Sequence, residues 1–279
     1  MIPLLYLTDR KNRALIPDEK GIAGAFASAG MNVAIAIWDE TDWDPYPNIL
    51  IRTTWDYTLK PDLFLSKIRA ATRRGQAVIH PEHVIRWNID KRYLVELARA
   101  GHKVVPTCVE ENFRPGTLAK YFGQYPALVL KPAIGAGGRD TFKMSAHDDP
   151  LKPAALFGGT VLIQPFIPEI ETVGEHSFIF FNEEFSHAVL KKAGTGEFRV
   201  QDDHGGTVEA YSPSGEEIRQ ARRLLQSAGR DTTYARVDAV KWNGEFHLME
   251  LEIIEPELFF RFSNHAMNRF ALAVRAKCG

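Results

Sequence analysis

Apolar residues arrive along the first eighty positions in short unbroken bursts, separated by polar, helix-compatible stretches. Residues 2–8, 33–38 and 49–52 form three such bursts and 77–79 a fourth, each suited to a strand buried on both faces. The small residues of 21–29 suit a helix, with Gly30 placed to end it. Residues 61–73 carry Leu63, Phe64, Ile68 and Ala71 near helical spacing, and Pro61 fits a first helical turn. This alternation predicts a small α/β domain over residues 1–82. A helix follows over 88–101, with Tyr93, Leu94, Leu97 and Ala98 as its apolar stripe, then a strand at 128–130. From 161 to 257 the pattern is mostly of strands, interrupted by one helix at 214–229.

Composition narrows the picture. The 279 residues are 45% hydrophobic and 25% charged, an ordinary globular balance. A formal net charge of -1 gives no global field toward nucleic acid or an anionic membrane, so neither is an expected partner. Residues 1–7 are apolar but meet Asp9, Arg10 and Lys11 at once, too soon for a signal segment or a membrane span. Cys108 and Cys278 lack metal or redox spacing and read as free thiols of a cytoplasmic protein. A small-molecule substrate is the expected partner, and a homodimer stays open.

The first chemical motif is the strand 128–130 running through Lys131 and Pro132 into Gly135, Ala136, Gly137 and Gly138. Glycines let backbone N–H groups turn toward phosphate oxygens, and Lys131 supplies a charge beside them. A plain glycine hairpin is the alternative. The lysine precedes the glycines, so this is not a P-loop.

The strand–lysine–proline–glycine element resembles the ATP-grasp superfamily, and implies an α/β (α+β) fold: an ATP-grasp domain preceded by a Rossmann-like domain. The ATP-grasp part would span residues 83–279, with a small lid subdomain at about 103–163 and a catalytic subdomain at about 164–279. In that family a second lysine, at the start of an upstream helix, also reaches ATP; here it is Lys91. The resemblance places the adenine hinge at Gln164, Phe166 and Ile167, whose bland reading is an interdomain strand with Phe166 in the core. It makes Glu175 the ribose acceptor, a role suited to a carboxylate because it accepts from two hydroxyls. The order Lys191, Gly194, Gly196, Arg199, Asp202, Asp203, His204, Gly205, Gly206 is similar to the glutathione synthetase branch, with lysine at 191 where that branch has arginine. Arg199 keeps a planar fork and is the expected stabiliser of the γ-phosphate and of the acyl-phosphate oxyanion, with Lys191 beside it. A solvated hairpin is the alternative for this stretch.

A β-hairpin is predicted over 236–256 with Asn243 and Gly244 at its turn. Glu250 and Glu252 alternate and share a face. A plain two-residue turn would put Asp238 on the other face. A three-residue loop, Trp242 to Gly244, opposes Lys241 to Glu245, Val240 to Phe246 and Arg236 to Glu250, and brings Asp238 diagonal to Glu250 at about 7–8 Å. The three-residue loop is expected, with Asp238, Glu250 and Glu252 as Mg²⁺ ligands; an edge strand with solvated glutamates, or ion pairs to Arg236, is the structural alternative.

The reaction so implied is ATP- and Mg²⁺-dependent activation of a carboxylate as acyl phosphate, followed by attack of an amine. Phosphotransfer to a hydroxyl, or ATP binding without catalysis, are the rivals. On the acceptor side, Arg52, Thr53 and Tyr57 follow the third strand, at an end where open α/β sheets bind ligands. Arg52 is placed to clamp a carboxylate or to pair with Asp56, and Glu255 to meet a substrate ammonium. The stretches 52–57, 86–91 and 249–252 resemble the D-cycloserine synthetase-like ligases, which implies a small amino-acid-type substrate that is coupled or cyclised.

Overall fold

The computed structural model describes residues 1–200, 205–226 and 231–278. The first sheet is parallel and holds β1 (Ile2–Thr8), β2 (Met31–Ile37), β3 (Asn48–Ile51) and β4 (Ala77–Ile79), in the order β2-β1-β3-β4. The helix α1 (Ile22–Ser28) links β1 to β2, and α2 (Pro61–Arg73) links β3 to β4. All four residues of β3 are buried, as are the last five of β1, because helices cover both faces there.

Next come two short helices, α3 (Glu82–Asn88) and α4 (Tyr93–Arg99). The single helix expected over 88–101 is therefore broken. The Asp90 carboxylate accepts the Arg92 amide at 2.9 Å, and the Lys91 amide donates instead to the Ala133 carbonyl at 2.8 Å. Such a local side-chain bond competes with the helix, and it presents Lys91 to the glycine loop.

A second, antiparallel sheet holds β5 (Cys108–Glu110), β6 (Ala127–Pro132), β7 (Phe142–Ser145) and β8 (Val161–Pro165), in the order β5-β8-β6-β7. The turn of helix α5 (Ala119–Phe122) flanks it. After α6 (Glu169–Thr172) the third sheet begins: β9 (Glu175–Phe181), β10 (Glu184–Lys192), β11 (Thr207–Tyr211), β12 (Tyr234–Trp242) and β13 (Glu245–Glu252). It is antiparallel, in the order β11-β10-β9-β12-β13. The helix α7 (Gly215–Gln226) opens on a capping box, in which Ser214 and Glu217 exchange side-chain-to-backbone bonds. Residues 227–229 of the predicted helix lie outside the described residues.

Helix α8 (Ala266–Arg275) returns to the first sheet and completes its core. Phe270 lies edge-on to Phe26 at 5.8 Å and to Tyr234 at 5.4 Å, so first and third sheets share one apolar core. No helix among the described residues is long and apolar enough to cross a membrane. Cys108 is exposed and Cys278 buried, and both are free.

The β12–β13 hairpin corrects the predicted register. Trp242 opposes Glu245 across a two-residue turn, with Asn243 at φ 51° and Gly244 at φ 82°. Both central residues with positive φ define the turn type that Asn-Gly favours and that matches the strand twist. Lys241 faces Phe246, one residue from its expected partner, and Arg236 faces Glu252, two residues from its own. A register shift lies between Asp238 and Ala239, where Met249 is the extra residue. That bulge brings Asp238 directly opposite Glu250. The shared face is present; the odd residue sits in the strand, not in the turn.

Candidate active site

The three sheets converge on a cleft of about 770 Å³. Lys91 reaches it from the break between α3 and α4, and its ammonium lies 2.8 Å from the Glu250 carboxylate and also donates to the Gly135 carbonyl. Lys131 lines the cleft from the end of β6; burial and the charge of Lys91 lower its pKa. Gly135, Gly137 and Gly138 line the wall beside it. Gly137 and Gly138 have φ of 62° and 69°, and a Cβ on Gly135 would stand 2.8 Å from the Pro132 ring. This loop needs glycine where it bends.

At the end of β8, Gln164, Phe166 and Ile167 also line the cleft. The expected hinge chemistry is partly spent elsewhere. The Phe166 amide donates to the Ala127 carbonyl at 2.9 Å, and the Gln164 side chain donates to Thr107 at 2.8 Å. The Phe166 ring carries the Lys143 ammonium 3.5 Å from its centre.

Two residues expected at the cleft surface lie behind it. Lys191 and Asp238 are 4% and 2% exposed and do not line the cleft. Lys191 pairs with Glu175, which does line it, and stands 3.4 Å from Asp238. Strand pairing sets Lys191 opposite Glu175 and Asp238 opposite Glu250, on the cleft-facing side of the sheet, but both lie deeper than those partners, where each charge needs a counter-charge. Lys191 thus meets the cleft only through its partner Glu175. Glu175 itself is buried against that lysine, and burial raises its pKa even so. Arg199 lines the cleft, with its guanidinium 2.6 Å from Glu197. That bond is the main reason Glu197 is held down at about 2. Of the glycine stretch that follows, Asp202, Asp203 and His204 lie outside the described residues.

The carboxylates of β12 and β13 are organised by Arg236, which sequence reasoning weighed only as a counter-ion. Its guanidinium grips Asp238 at 2.8–3.1 Å and also binds Glu252 and, at 3.0 Å, the Glu257 carbonyl. Burial opposes ionisation of Asp238, but Arg236 and Lys191 overcome it and hold the acid well below its ordinary range. Glu252 is pushed the other way, to about 8, by burial and by Asp238 and Glu250, against the pull of Arg236. Among the described residues no three His, Cys, Asp or Glu side chains are grouped so as to hold a metal by themselves. Glu250 and Glu252 nevertheless present hard oxygens to the cleft, with Asp238 one layer behind. Magnesium commonly takes only one or two carboxylates and fills its shell with phosphate oxygens and water, so the donor set fits the ion in that mode.

On the acceptor side the expectations divide. Tyr57 and Glu255 line the cleft, whereas Arg52 and Thr53 do not. Arg52 is fully buried, 2.6 Å from Glu19 and 2.8 Å from the Pro256 carbonyl, over the rings of Tyr234 and Phe270. It is neither a clamp nor the partner of Asp56, which accepts the Trp38 indole at 2.6 Å. The segment after β13 and helix α8 cover this end of β3, so a ligand has no access to it. Thr53 is 2.7 Å from Thr8 within the first domain and equally covered. The cleft is finished by residues that carry no periodic signal: Lys11, Asn12 and Asp18 in the loop after β1, Trp55, Arg139, Glu257 and Arg261. The Trp55 indole donates to the Glu255 carbonyl at 3.0 Å, and Arg139 of the glycine loop reaches Thr58 at 2.8 Å.

Residues 4–80 match the family described as D-cycloserine synthetase DcsG, N-terminal domain. The cycloserine biosynthesis protein DcsG of Streptomyces lavendulae is 26% identical, covering 97% of each chain. The crystal structure of D-cycloserine synthetase DcsG superimposes with a TM-score of 0.86 at 24% identity, over 98% of this chain and 99% of that one. D-alanine–D-alanine ligase from Bacillus anthracis superimposes with a TM-score of 0.68 at 14% identity, over 99% of each.

Proposed function

Because the chain is an ATP-grasp protein of the D-cycloserine synthetase-like kind, we propose that it is an ATP-dependent ligase acting on a small amino-acid-type carboxylate. The observation that carries this reading is one cleft faced by Lys91 and Lys131 on one side and by Glu250 and Glu252 on the other. Lysines there suit a nucleotide's phosphates, and the glycine loop suits their close approach. The glutamates would hold magnesium, which supplies charge neutralisation on the phosphates when bound. The acceptor carboxylate attacks the γ-phosphorus, giving ADP and an acyl phosphate. A nitrogen nucleophile, from the same or a second molecule, then forms the C–N bond and releases phosphate. In this reading Lys91, Lys131 and Arg199 spread the negative charge that builds up during transfer. Arg236 and Lys191 hold Asp238 ionised, and Lys191 holds Glu175 in place through their ion pair.

The test is trapping with hydroxylamine. Incubation with ATP, magnesium and each of a panel of D- and L-amino acids should give substrate-dependent ADP and a hydroxamate. ADP release with a phosphorylated hydroxyl product and no hydroxamate would reassign the reaction to phosphotransfer. No ADP with any acceptor would remove the ligase reading.

A further inference from the structure

Six carboxylates line the cleft, and five of them have a basic partner. Glu175 pairs with Lys191, Glu250 with Lys91, Glu252 with Arg236, and both Asp18 and Glu257 with Arg261. The sixth is Glu255. Among the described residues its side chain forms no ion pair, and the neutral phenol of Tyr57 lies beside it.

This carboxyl is fixed as well as unneutralised. Residue 255 follows β13 by three positions, and the first domain holds it at two points. The Trp55 indole N–H donates to its main-chain carbonyl at 3.0 Å, and Tyr57, in the same turn after β3, meets its side chain. Tyr57 is itself 3% exposed and stacked on Phe64 at 4.6 Å, so its hydroxyl has little freedom. A half-buried carboxylate without a cation beside it is well placed to accept one from a ligand. Burial first, and the charge of Glu250 among its neighbours, push Glu255 up to about 7 despite Tyr57 and Lys91. The part of that shift due to the negative charge of Glu250 also favours a cation beside Glu255.

We propose that Glu255, oriented by Tyr57 and Trp55, is the seat for a protonated nitrogen of the acceptor substrate. This rests on the ligase reading above and adds polarity to it. The acceptor lies with its ammonium end at Glu255 and its carboxylate toward Lys91 and Lys131. Acceptors therefore carry both groups, and simple monocarboxylic acids are poor substrates.

Two measurements on the full chain test it. The first needs no knowledge of the acceptor: methylammonium chloride is titrated into protein labelled with ¹³C at the glutamate carboxyls. The resonance of residue 255, assigned by its loss in Glu255→Gln, should shift saturably with methylammonium and not with sodium chloride at equal ionic strength. An unresponsive resonance, or equal response to both salts, overturns the proposal. If Glu255→Gln fails to fold, Glu255→Asp provides the assignment, because it moves the carboxyl by one methylene. The second uses whichever amino acid of the panel supports ADP release. A charge-assisted hydrogen bond of ordinary strength predicts that Glu255→Gln raises KM for that acceptor roughly 10- to 100-fold, with KM for ATP changed less than about twofold. Unchanged acceptor KM overturns the proposal. A panel with no ADP release removes the ligase reading while the methylammonium titration still decides Glu255.

Discussion

Replacing Arg52 by methionine removes a charge that has no route to solvent. The side chains of Arg52 and Glu19 are 0% and 1% exposed, and their closest approach is 2.6 Å. Burial opposes the guanidinium's charge, but Glu19 outweighs it and keeps Arg52 ionised. The same carboxylate accepts the Tyr6 hydroxyl at 2.5 Å, and Arg52 also ties the Pro256 carbonyl to the first sheet. Removing one member of such a pair strands the other and costs roughly 3–5 kcal/mol, whereas removing both in favour of apolar or neutral groups of like volume is near neutral. Arg52→Met and Glu19→Gln should therefore each lose roughly 3–5 kcal/mol in urea unfolding. The double variant should lose far less than the sum, with a coupling of at least about 2 kcal/mol in the double-mutant cycle. KM for the acceptor in the surviving fraction should stay within about twofold of the parent. A single Arg52→Met variant that keeps its stability, to within about 1 kcal/mol, and loses acceptor affinity would restore the clamp and refute the structural account.

Lys91→Met should weaken MgADP binding by about 10- to 100-fold in calorimetry, the range for losing one charge-assisted contact; equal affinity would take Lys91 out of the nucleotide site. His80 is buried, accepts the Tyr234 amide at 3.1 Å, and is lowered to about 3, chiefly by burial. The unfolded chain binds this proton at about 6.5, so the stabilisation is whole above that pH and is lost as pH falls toward 3. The loss reaches about 1.4 kcal/mol per pH unit within the window. His176, lowered to about 4, adds a similar slope. His80→Gln should flatten the fall of urea midpoint between pH 6 and 4, and an unchanged slope would show that His80 is not its source. Gly174 has φ of 114°, and a Cβ there would come within 2.4 Å of the Lys191 carbonyl. Gly174→Ala should cost more than about 2 kcal/mol, since backbone strain adds to backbone contact; a cost below 1 kcal/mol would contradict that geometry.

What the sequence discloses and what it conceals follow physical lines. The strands of the first sheet are legible because burial on both faces leaves uninterrupted apolar runs. Lys131 and its glycines are legible because the bend of the loop constrains residue type locally. Arg52 misleads for the opposite reason. Its position after β3 is a ligand-binding position in an open sheet, and only the return of residues 256–270 from the far end of the chain covers it. Lys191 and Arg199 look alike in sequence, yet one is 4% exposed and the other lines the cleft. A spacing of eight residues across a strand end and a turn does not specify which face each side chain takes.

The β12–β13 hairpin shows how a shared face can come from a loop other than the expected one. Between Asp238 and Glu250 the side-chain faces depend on the parity of unpaired residues, because one residue of slip inverts every position beyond it. The expected loop supplies its odd residue at the turn. The observed strands supply it at Met249, after the Asn243–Gly244 turn has adopted the geometry that its two positive φ angles dictate. Either arrangement puts Asp238 and Glu250 together, but only the bulge also bends β13 where Met249 and Glu250 line the cleft. An even-residue turn is the local preference of Asn-Gly, and opposed carboxylates are the requirement of the site. A bulge beside the carboxylates is the solution that satisfies both, because it shifts the register by one without disturbing the turn.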